Sequence, residues 1–242
     1  LANLLLSGQV SLEEADQRLT EIDAMPSPYG KLITGCSFGL STGAFGMLMG
    51  ASWSEIFWSG LFGFVVYFWV LWSERSKRVA LMLEPVIAYV VAFLACVASR
   101  FFDPGINIPI IILSSVIIFV PGLALTMGLA ELSSRNMVSG TARIMDAMMQ
   151  LFKLYFGAFL GVATGFSLFG ENTYAPAESL PYWSTWLAVV LLGFGLVAIF
   201  RTRAKHIPWA LAAALIGYSA TALSSDFLPQ NVGSFVGAFT LG

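Results

Sequence analysis

The sequence has little charge. Asp, Glu, Lys and Arg make up 11% of its 242 residues, whereas soluble domains average about 25%. The chain is instead 57% apolar, with a mean hydropathy of +0.81. This composition argues against a water-soluble fold and against a nucleic-acid partner. It favours a protein embedded in a lipid bilayer.

Patterns typical of metal sites, disulfide frameworks and common catalytic centres are also missing. The two cysteines, Cys36 and Cys96, lie inside apolar runs without a CxxC pattern, so we interpret them as packing residues. The single histidine, His206, stands beside Lys205 at the start of an apolar run. The HExxH, GxSxG and GxxxxGK[ST] patterns do not occur. We therefore predict no enzymatic activity, no metal and no cofactor.

Long apolar runs dominate what the sequence does contain. A helix needs about 20 mostly apolar residues to cross a bilayer. This length predicts an all-α fold, a polytopic transmembrane helical bundle with seven complete spans and part of an eighth. The predicted spans are 31–51, 55–73, 79–99, 107–130, 142–169, 183–200 and 206–224, followed by an incomplete run over 230–242. Because that run is too short to cross, we expect the sequence to be a piece of a longer chain.

The first 30 residues differ from the rest because they are rich in charge. Ser11 and Glu14 form the S-x-x-E pattern of a capping box, which starts a helix. Apolar residues recur at helical spacing after it. We predict a cytoplasmic amphipathic helix and linker over residues 1–30.

Basic residues are concentrated in alternate loops, which predicts the orientation of the chain. Short loops rich in Lys and Arg stay in the cytoplasm. The basic loops contain Arg75, Lys77 and Arg78, then Arg135 and Arg143, then Arg201, Arg203 and Lys205. We therefore predict a multi-pass protein with a cytoplasmic amino terminus, and we assign it to a bacterial inner membrane.

Glycines recur every four residues in two predicted spans. Gly35, Gly39 and Gly43 form one stripe, and Gly157, Gly161 and Gly165 form another. Small residues let helix backbones approach closely in lipid. The stripes are interpreted as packing seams, and sliding surfaces in a moving bundle are the alternative.

Polar residues inside the fifth predicted span are candidates for a transport site. Arg143, Asp146, Gln150 and Lys153 are spaced by 3, 4 and 3 residues, so they share one helical face. Ionisable groups within a span usually face the bundle interior and mark a pathway. The alternative is that Arg143 and Asp146 lie at the membrane interface and that Lys153 extends outward to it.

Two prolines mark further candidate positions. Glu84 directly precedes Pro85 in the third predicted span, where the carboxyl could carry a proton or simply pair with Arg78 or Lys153. Pro121 and Gly122 interrupt the middle of the fourth span. Broken helices at the bilayer midplane expose backbone groups that transporters use to hold substrates and ions. A simple proline kink is the alternative.

One stretch resembles a known family. Its residues are Pro121-Gly122-Leu123-Ala124-Leu125-Thr126, then Glu131-Leu132, then Ser139-Gly140-Thr141-Ala142-Arg143. Their order resembles the threonine/serine exporter family, and the likeness covers most of residues 1–170. The sequence departs from the common family pattern at Glu131, where Asp is expected, and at Arg135-Asn136, where Gly-Asp is frequent. These departures leave the architecture unchanged and put the substrate in doubt.

The resemblance implies a secondary transporter with about ten spans in two inverted five-span repeats. Residues 31–170 would then form the first half, and residues 171–242 would begin the second. It also implies export of a small hydrophilic metabolite, a threonine- or serine-type amino acid, at the expense of a proton gradient. Relatives that export dicarboxylates such as succinate are the alternative substrate class.

The candidate substrate-binding or coupling residues are Glu84, Pro121, Gly122, Glu131, Arg143, Asp146, Gln150 and Lys153. Glu84 and Asp146 are the candidate proton carriers, and Arg143 and Lys153 would attract a substrate carboxylate. The partners expected are a small-molecule substrate, protons and the lipid bilayer, with homo-oligomer formation left open. A non-transporting membrane scaffold and a passive channel are the competing hypotheses.

Overall fold

The computed structural model describes residues 29–171 and 180–225, together with residues 11, 14, 16 and 17 of the leading segment. Every regular element within these residues is helical, which confirms the predicted all-α class. The α-helices are α1 Lys31–Leu48, α2 Trp53–Arg75, α3 Lys77–Leu81, α4 Leu83–Phe101, α5 Ile108–Val116, α6 Gly122–Ser133, α7 Met137–Phe169, α8 Tyr182–Ile199 and α9 Ile207–Ser225.

Each of the seven predicted complete spans coincides with a helix or a pair of helices. Among the described residues, five helices are long and apolar enough to cross a membrane: α2, α4, α7, α8 and the segment Ala204–Ser224. The number rises to six if the bent pair formed by α5 and α6 is one span. The multi-pass character is therefore supported, whereas the count of seven and the inverted repeats stay predictions. The run 230–242 lies outside the described residues.

Helix α1, the first predicted span, is not among these five because its sequence is more polar. Its buried residues include Ser37, Ser41 and Thr42 as well as four glycines. The Thr42 hydroxyl donates hydrogen bonds to carbonyl oxygens of its own helix and, over 2.9 Å, to the Ser59 carbonyl oxygen in α2. The Ser37 hydroxyl donates to the Ile33 carbonyl of its own helix at 2.8 Å, whereas the buried Ser41 Oγ has no hydrogen-bond partner among the described residues.

Helices α4 and α7 run parallel and pack along the glycine stripe of α7. A Cβ atom placed on Gly157 would collide with the carbonyl oxygen of Pro85. One placed on Gly161 would lie 2.5 Å from the Tyr89 carbonyl oxygen, and one on Gly165 would lie 2.5 Å from Cys96 Cβ. These glycines are therefore a packing seam, as the sequence predicted, and the name "α4–α7 seam" is used for it below.

The fourth predicted span is broken where Pro121 and Gly122 follow each other. Helix α5 continues into a 3₁₀ turn, Ile117–Phe119, and α6 begins at Gly122. The axes before and after the break differ by 59°. Proline has no amide hydrogen and crowds the preceding turn, so it disfavours a continuous helix here. The term "the break" below means residues 117–122.

Two helix boundaries differ from the predicted ones. The third predicted span is not one continuous helix. The helix restarts after Met82, so Glu84 and Pro85 lie in the first turn of α4. Proline is tolerated in a first turn, where its amide would have no partner in the helix. Helix α7 starts at Met137 instead of residue 142.

The chain divides into two compact units, Leu1–Gly30 and Lys31–Gly242. In the leading unit, the Glu14 amide donates to Ser11 Oγ over 3.2 Å. This is the hydrogen bond from helix amide to capping hydroxyl that the S-x-x-E pattern predicts. Residues 16 and 17 are helical as well, and the rest of the predicted helix lies outside the described residues.

Candidate functional site

The side chain of Gln150 in α7 forms a hydrogen bond with the backbone of the break. In a continuous α-helix the Phe119 carbonyl would accept a hydrogen bond from the amide of residue 123. The bend at Pro121 prevents this, and the carbonyl instead accepts a hydrogen bond from Gln150 Nε2 at 2.9 Å. An unsatisfied backbone carbonyl is costly inside a bilayer. The Gln150 side chain therefore compensates for the break in the fourth span.

Lys153 lies about one turn after Gln150 on α7, and its side chain approaches Glu84 of α4. The distance between Glu84 Oε2 and Lys153 Nζ is 4.0 Å. The same carboxylate oxygen is buried and accepts no hydrogen bond from the described residues. Of the two sequence-based partners for Glu84, Arg78 or Lys153, the structure selects Lys153. A carboxylate with one loosely held, buried oxygen has a coordination position available for another group.

These contacts bring half of the predicted residues together. Gln150 and Lys153 are three residues apart, or about 4.5 Å along the helix axis. They contact the break and the start of α4, respectively. We call this group the break site: Glu84, Phe119, Pro121, Gln150 and Lys153.

Glu131 and Arg143 form a separate cluster at the turn between α6 and α7. Arg143 Nε donates to Glu131 Oε1 at 3.0 Å, and Ser139 Oγ donates to Glu131 Oε2 at 2.6 Å. Both Glu131 and Arg143 belong to the stretch that resembles the exporter family. The Arg143 side chain is 44% exposed, so the pair adds little stability. It joins the two helices that follow the break.

Asp146 lies apart from both groups. It is exposed, and no described residue forms an ion pair or hydrogen bond with it. Its position on the same helical face as Gln150 and Lys153 did not predict this, and the adjacent Ala147 is fully buried. Its assignment as a proton carrier stays a prediction.

Pro121 and Gly122 occupy different environments although they are adjacent. Pro121 is buried, whereas Gly122 is exposed. A Cβ atom on Gly122 would meet no atom within 4 Å. The close packing of the α4–α7 seam is therefore absent from this side of the break.

The departure from the family pattern at Arg135 has a structural consequence. Arg135 adopts a φ of 63°, in the left-handed region that favours glycine. Glycine, which is frequent in the family at this position, is the residue that adopts this backbone conformation most easily. Arg135 therefore carries conformational strain in the turn between α6 and α7.

Glu55 is a buried polar residue that the sequence analysis missed. One carboxylate oxygen accepts the Ser52 amide at 2.7 Å, and the other accepts the Asn107 amide at 2.6 Å. Glu55 thereby caps α2 and fixes the residue that precedes α5. Ser52 and Glu55 are an S-x-x-E pair in the sequence, which could have predicted the cap. The contact with Asn107 has no local signal.

The part of the chain that the structure describes contains no group of three or more His, Cys, Asp or Glu side chains able to hold a metal ion. The break site offers a carboxylate, an ammonium group, a side-chain amide and the Phe119 backbone carbonyl that this amide contacts. Such groups can bind polar solutes or exchange a proton.

Comparison with known proteins supports the resemblance. The sequence model of the ThrE family, the threonine/serine exporters, matches residues 1–165. Pheromone-regulated membrane protein 10 of Yarrowia lipolytica is 26% identical over 247 residues, which cover 96% of this chain and 20% of that protein. Its namesake in Eremothecium gossypii is 26% identical over 191 residues, covering 76% of this chain and 24% of that protein. No solved structure matches.

A protein of Schizosaccharomyces pombe without a described function is 22% identical over 257 residues, which cover 98% of this chain and 30% of that protein. The chain thus spans less than a third of the length of these relatives. All of them are yeast proteins, so the assignment to a bacterial inner membrane is wrong and a eukaryotic membrane is indicated. Hydropathy reports that a helix suits a bilayer, and it does not distinguish these membranes.

Proposed function

Because the chain belongs to the threonine/serine exporter family, we propose that it is part of a secondary transporter that exports a small hydrophilic amino acid of the threonine or serine type. Transport is driven by a proton gradient, and substrate and proton bind at the break site. The finer architecture in this proposal has seven complete spans in the given sequence, within a ten-span protein of two inverted repeats.

The observation that carries the proposal is that Gln150 and Lys153, three residues apart on α7, contact the interrupted helix and Glu84, respectively. Gln150 is bonded to the Phe119 carbonyl at 2.9 Å, and Lys153 lies 4.0 Å from Glu84. A helix break offers backbone groups to a substrate. A carboxylate that can release its lysine offers a position for a proton.

Each partner in the pair has a distinct role in this mechanism. Lys153 attracts the substrate carboxylate, and Glu84 takes up a proton when Lys153 turns towards the substrate. Protonation neutralises Glu84 while it lacks its positive partner, which lowers the cost of leaving its Oε2 atom buried. Substrate binding and proton binding are then coupled through one ion pair.

A second candidate, a membrane scaffold, is favoured by one observation. Asp146 is exposed on a helix that crosses the membrane and has no partner among the described residues. A charge in that position would be stabilised by a polar group on another protein. Under this hypothesis Asp146 serves assembly, and Glu84 is a structural ion pair.

The two acids provide matched variants for one experiment. The full-length protein, its Glu84→Gln form and its Asp146→Asn form are reconstituted in proteoliposomes with an imposed pH gradient. Flux of labelled threonine, serine and succinate is measured together with the oligomeric state. We expect gradient-driven flux of threonine or serine by the wild type, its loss in Glu84→Gln, and intact assembly of both variants.

Other outcomes separate the hypotheses. Flux of succinate alone would move the substrate to the dicarboxylate class. No flux by the wild type, combined with failed assembly of Asp146→Asn, would favour the scaffold. Flux lost in Asp146→Asn and kept in Glu84→Gln would transfer the coupling role to Asp146.

A further inference from the structure

A small cavity lies at the end of the α4–α7 seam that is remote from Glu84. Its volume is about 210 Å³, and Ser99, Arg100, Phe166, Phe169 and Glu171 are among the residues that line it. Glu84 and Arg100 lie in the first and last turns of α4, so they are separated by about 24 Å along the axis. The cavity and the break site are therefore at opposite ends of the same helix pair.

The cavity, called the Arg100 cavity below, has an electrically mixed lining. Arg100 comes from the last turn of α4, and Glu171 follows the end of α7. Among the described residues, neither side chain forms an ion pair within 4 Å. A guanidinium group binds a carboxylate through two parallel hydrogen bonds. A glutamate carboxylate offers the complementary charge for an ammonium group.

The size of the cavity limits its occupant to a small solute. A volume of 210 Å³ corresponds to about seven water molecules at the ~30 Å³ that each occupies in the liquid. Ligand pockets for drug-sized molecules start at about 300 Å³. The apolar rings of Phe166 and Phe169 form part of the wall. Such a space suits a molecule with two charged groups and a short side chain.

From this arrangement we propose that the Arg100 cavity is a second substrate site, which binds a zwitterionic amino acid at the end of the bundle opposite the break site. Arg100 binds the carboxylate of the substrate, and Glu171 binds its ammonium group. This inference rests on the proposed transport function and adds to it a location and a basis for substrate choice.

Glu171 determines which substrate class enters. A dicarboxylate such as succinate can satisfy Arg100 with one end, but its other end meets the negative charge of Glu171. Arg100 and Glu171 are both exposed, but like charges held close together still repel, and this disfavours the wrong ligand. The cavity thus favours threonine and serine over succinate through a repulsive contact as well as an attractive one.

The test measures binding and flux separately. Equilibrium binding of labelled threonine and succinate is measured for the full-length protein in nanodiscs, and threonine flux is measured in proteoliposomes. The variants are Arg100→Gln and Glu171→Gln, with Arg203→Gln as the control, because Arg203 is an exposed arginine in a loop that the cavity does not include. Circular dichroism and size-exclusion profiles check that each variant folds.

We expect Arg100→Gln to weaken threonine binding by about tenfold, the effect of losing one charge-assisted contact. Glu171→Gln is expected to weaken threonine binding by a similar factor and to strengthen succinate binding. Arg203→Gln should bind threonine as the wild type does. The Km for threonine transport should rise in parallel with the loss of binding.

Threonine affinity unchanged in folded Arg100→Gln and Glu171→Gln proteins would overturn the cavity assignment while leaving the transport function intact. Absence of threonine binding by the wild type would also overturn it. Threonine binding that depends on Arg100, without flux in the wild type, would instead support the site and contradict the proposed transport.

Discussion

The α4–α7 seam and the break differ in how small residues are used. In the seam, Gly157 and Gly161 bring two helix backbones so close that neither tolerates a side chain. At the break, Gly122 is surrounded by open space, and the interrupted backbone is held by one hydrogen bond from Gln150. The seam is therefore a close backbone contact, whereas the backbone at Gly122 has no comparable contact.

This difference assigns distinct roles to the glycines of the two segments. Close backbone packing stores much of the stability of helices in lipid. An unwound segment within a membrane is tolerated where neighbouring groups satisfy it. Substitutions that add one small group to each region should therefore have very different effects.

The largest effect is expected for Gly157→Ala. The added Cβ meets the Pro85 carbonyl oxygen, which belongs to a helix backbone and cannot turn aside. Overpacking of this kind costs about 3 kcal/mol. Thermal unfolding of the protein in nanodiscs should reveal a clearly lower midpoint.

Gly122→Ala is the matched control for that substitution. Its Cβ has open space, so we expect a change below about 0.5 kcal/mol. Equal destabilisation by the two variants would contradict the distinction between seam and break.

The next effect is expected for Gln150→Leu. This change removes the donor to the Phe119 carbonyl and leaves that oxygen without a partner in the fold. Polar contacts between membrane helices contribute about 1 kcal/mol. Hydrogen exchange should accelerate around the break, while the α4–α7 seam stays protected.

Met149→Leu serves as the control for Gln150→Leu because Met149 is exposed on the same helix. Equal hydrogen-exchange rates at the break in the two variants would show that the Gln150 hydrogen bond does not stabilise it.

A smaller effect of opposite sign is expected for Arg135→Gly. The left-handed backbone at Arg135 costs roughly 1 kcal/mol for a residue with a side chain. The greater freedom of glycine in the unfolded chain offsets part of that gain. We expect a net stabilisation of about 0.5 kcal/mol, visible as a higher unfolding midpoint. A lower midpoint would mean that the arginine side chain compensates for its own strain.

The smallest effect is expected for Glu131→Gln. The Arg143 side chain is largely solvated, so the ion pair contributes less than about 0.5 kcal/mol. The glutamine can still accept the hydrogen bond from Ser139. An unfolding midpoint within error of the wild type is the predicted result, and a large drop would place this cluster among the structural contacts that hold the break.

Much of the fold could be predicted from local sequence patterns. Apolar runs located the helices because length and hydropathy decide which segments suit a bilayer. Pro121 located the break because the missing amide hydrogen is a property of that one residue. The spacing of glycines located the α4–α7 seam, although it did not identify the helix on the other side.

The site was only partly predictable from the sequence. Helical spacing shows which residues share a face of a helix, but it does not show which other helix packs against that face. Arg143, Asp146, Gln150 and Lys153 share one face of α7, yet they meet α6, no described partner, the break and α4, respectively. Tertiary packing determines which neighbouring helix contacts α7 at each of these positions. The restart of the helix at Leu83, which moved Glu84 to a helix end, had no clear signal in a continuous apolar run.

We propose that Glu84 carries the coupled proton at the break site. This role can be tested by following luminal pH with a trapped dye in proteoliposomes while threonine is added to one side. We expect a threonine-dependent pH change in the wild type that disappears in Glu84→Gln, while threonine exchange without a gradient continues in that variant. A threonine-dependent pH change of wild-type size in Glu84→Gln would contradict it.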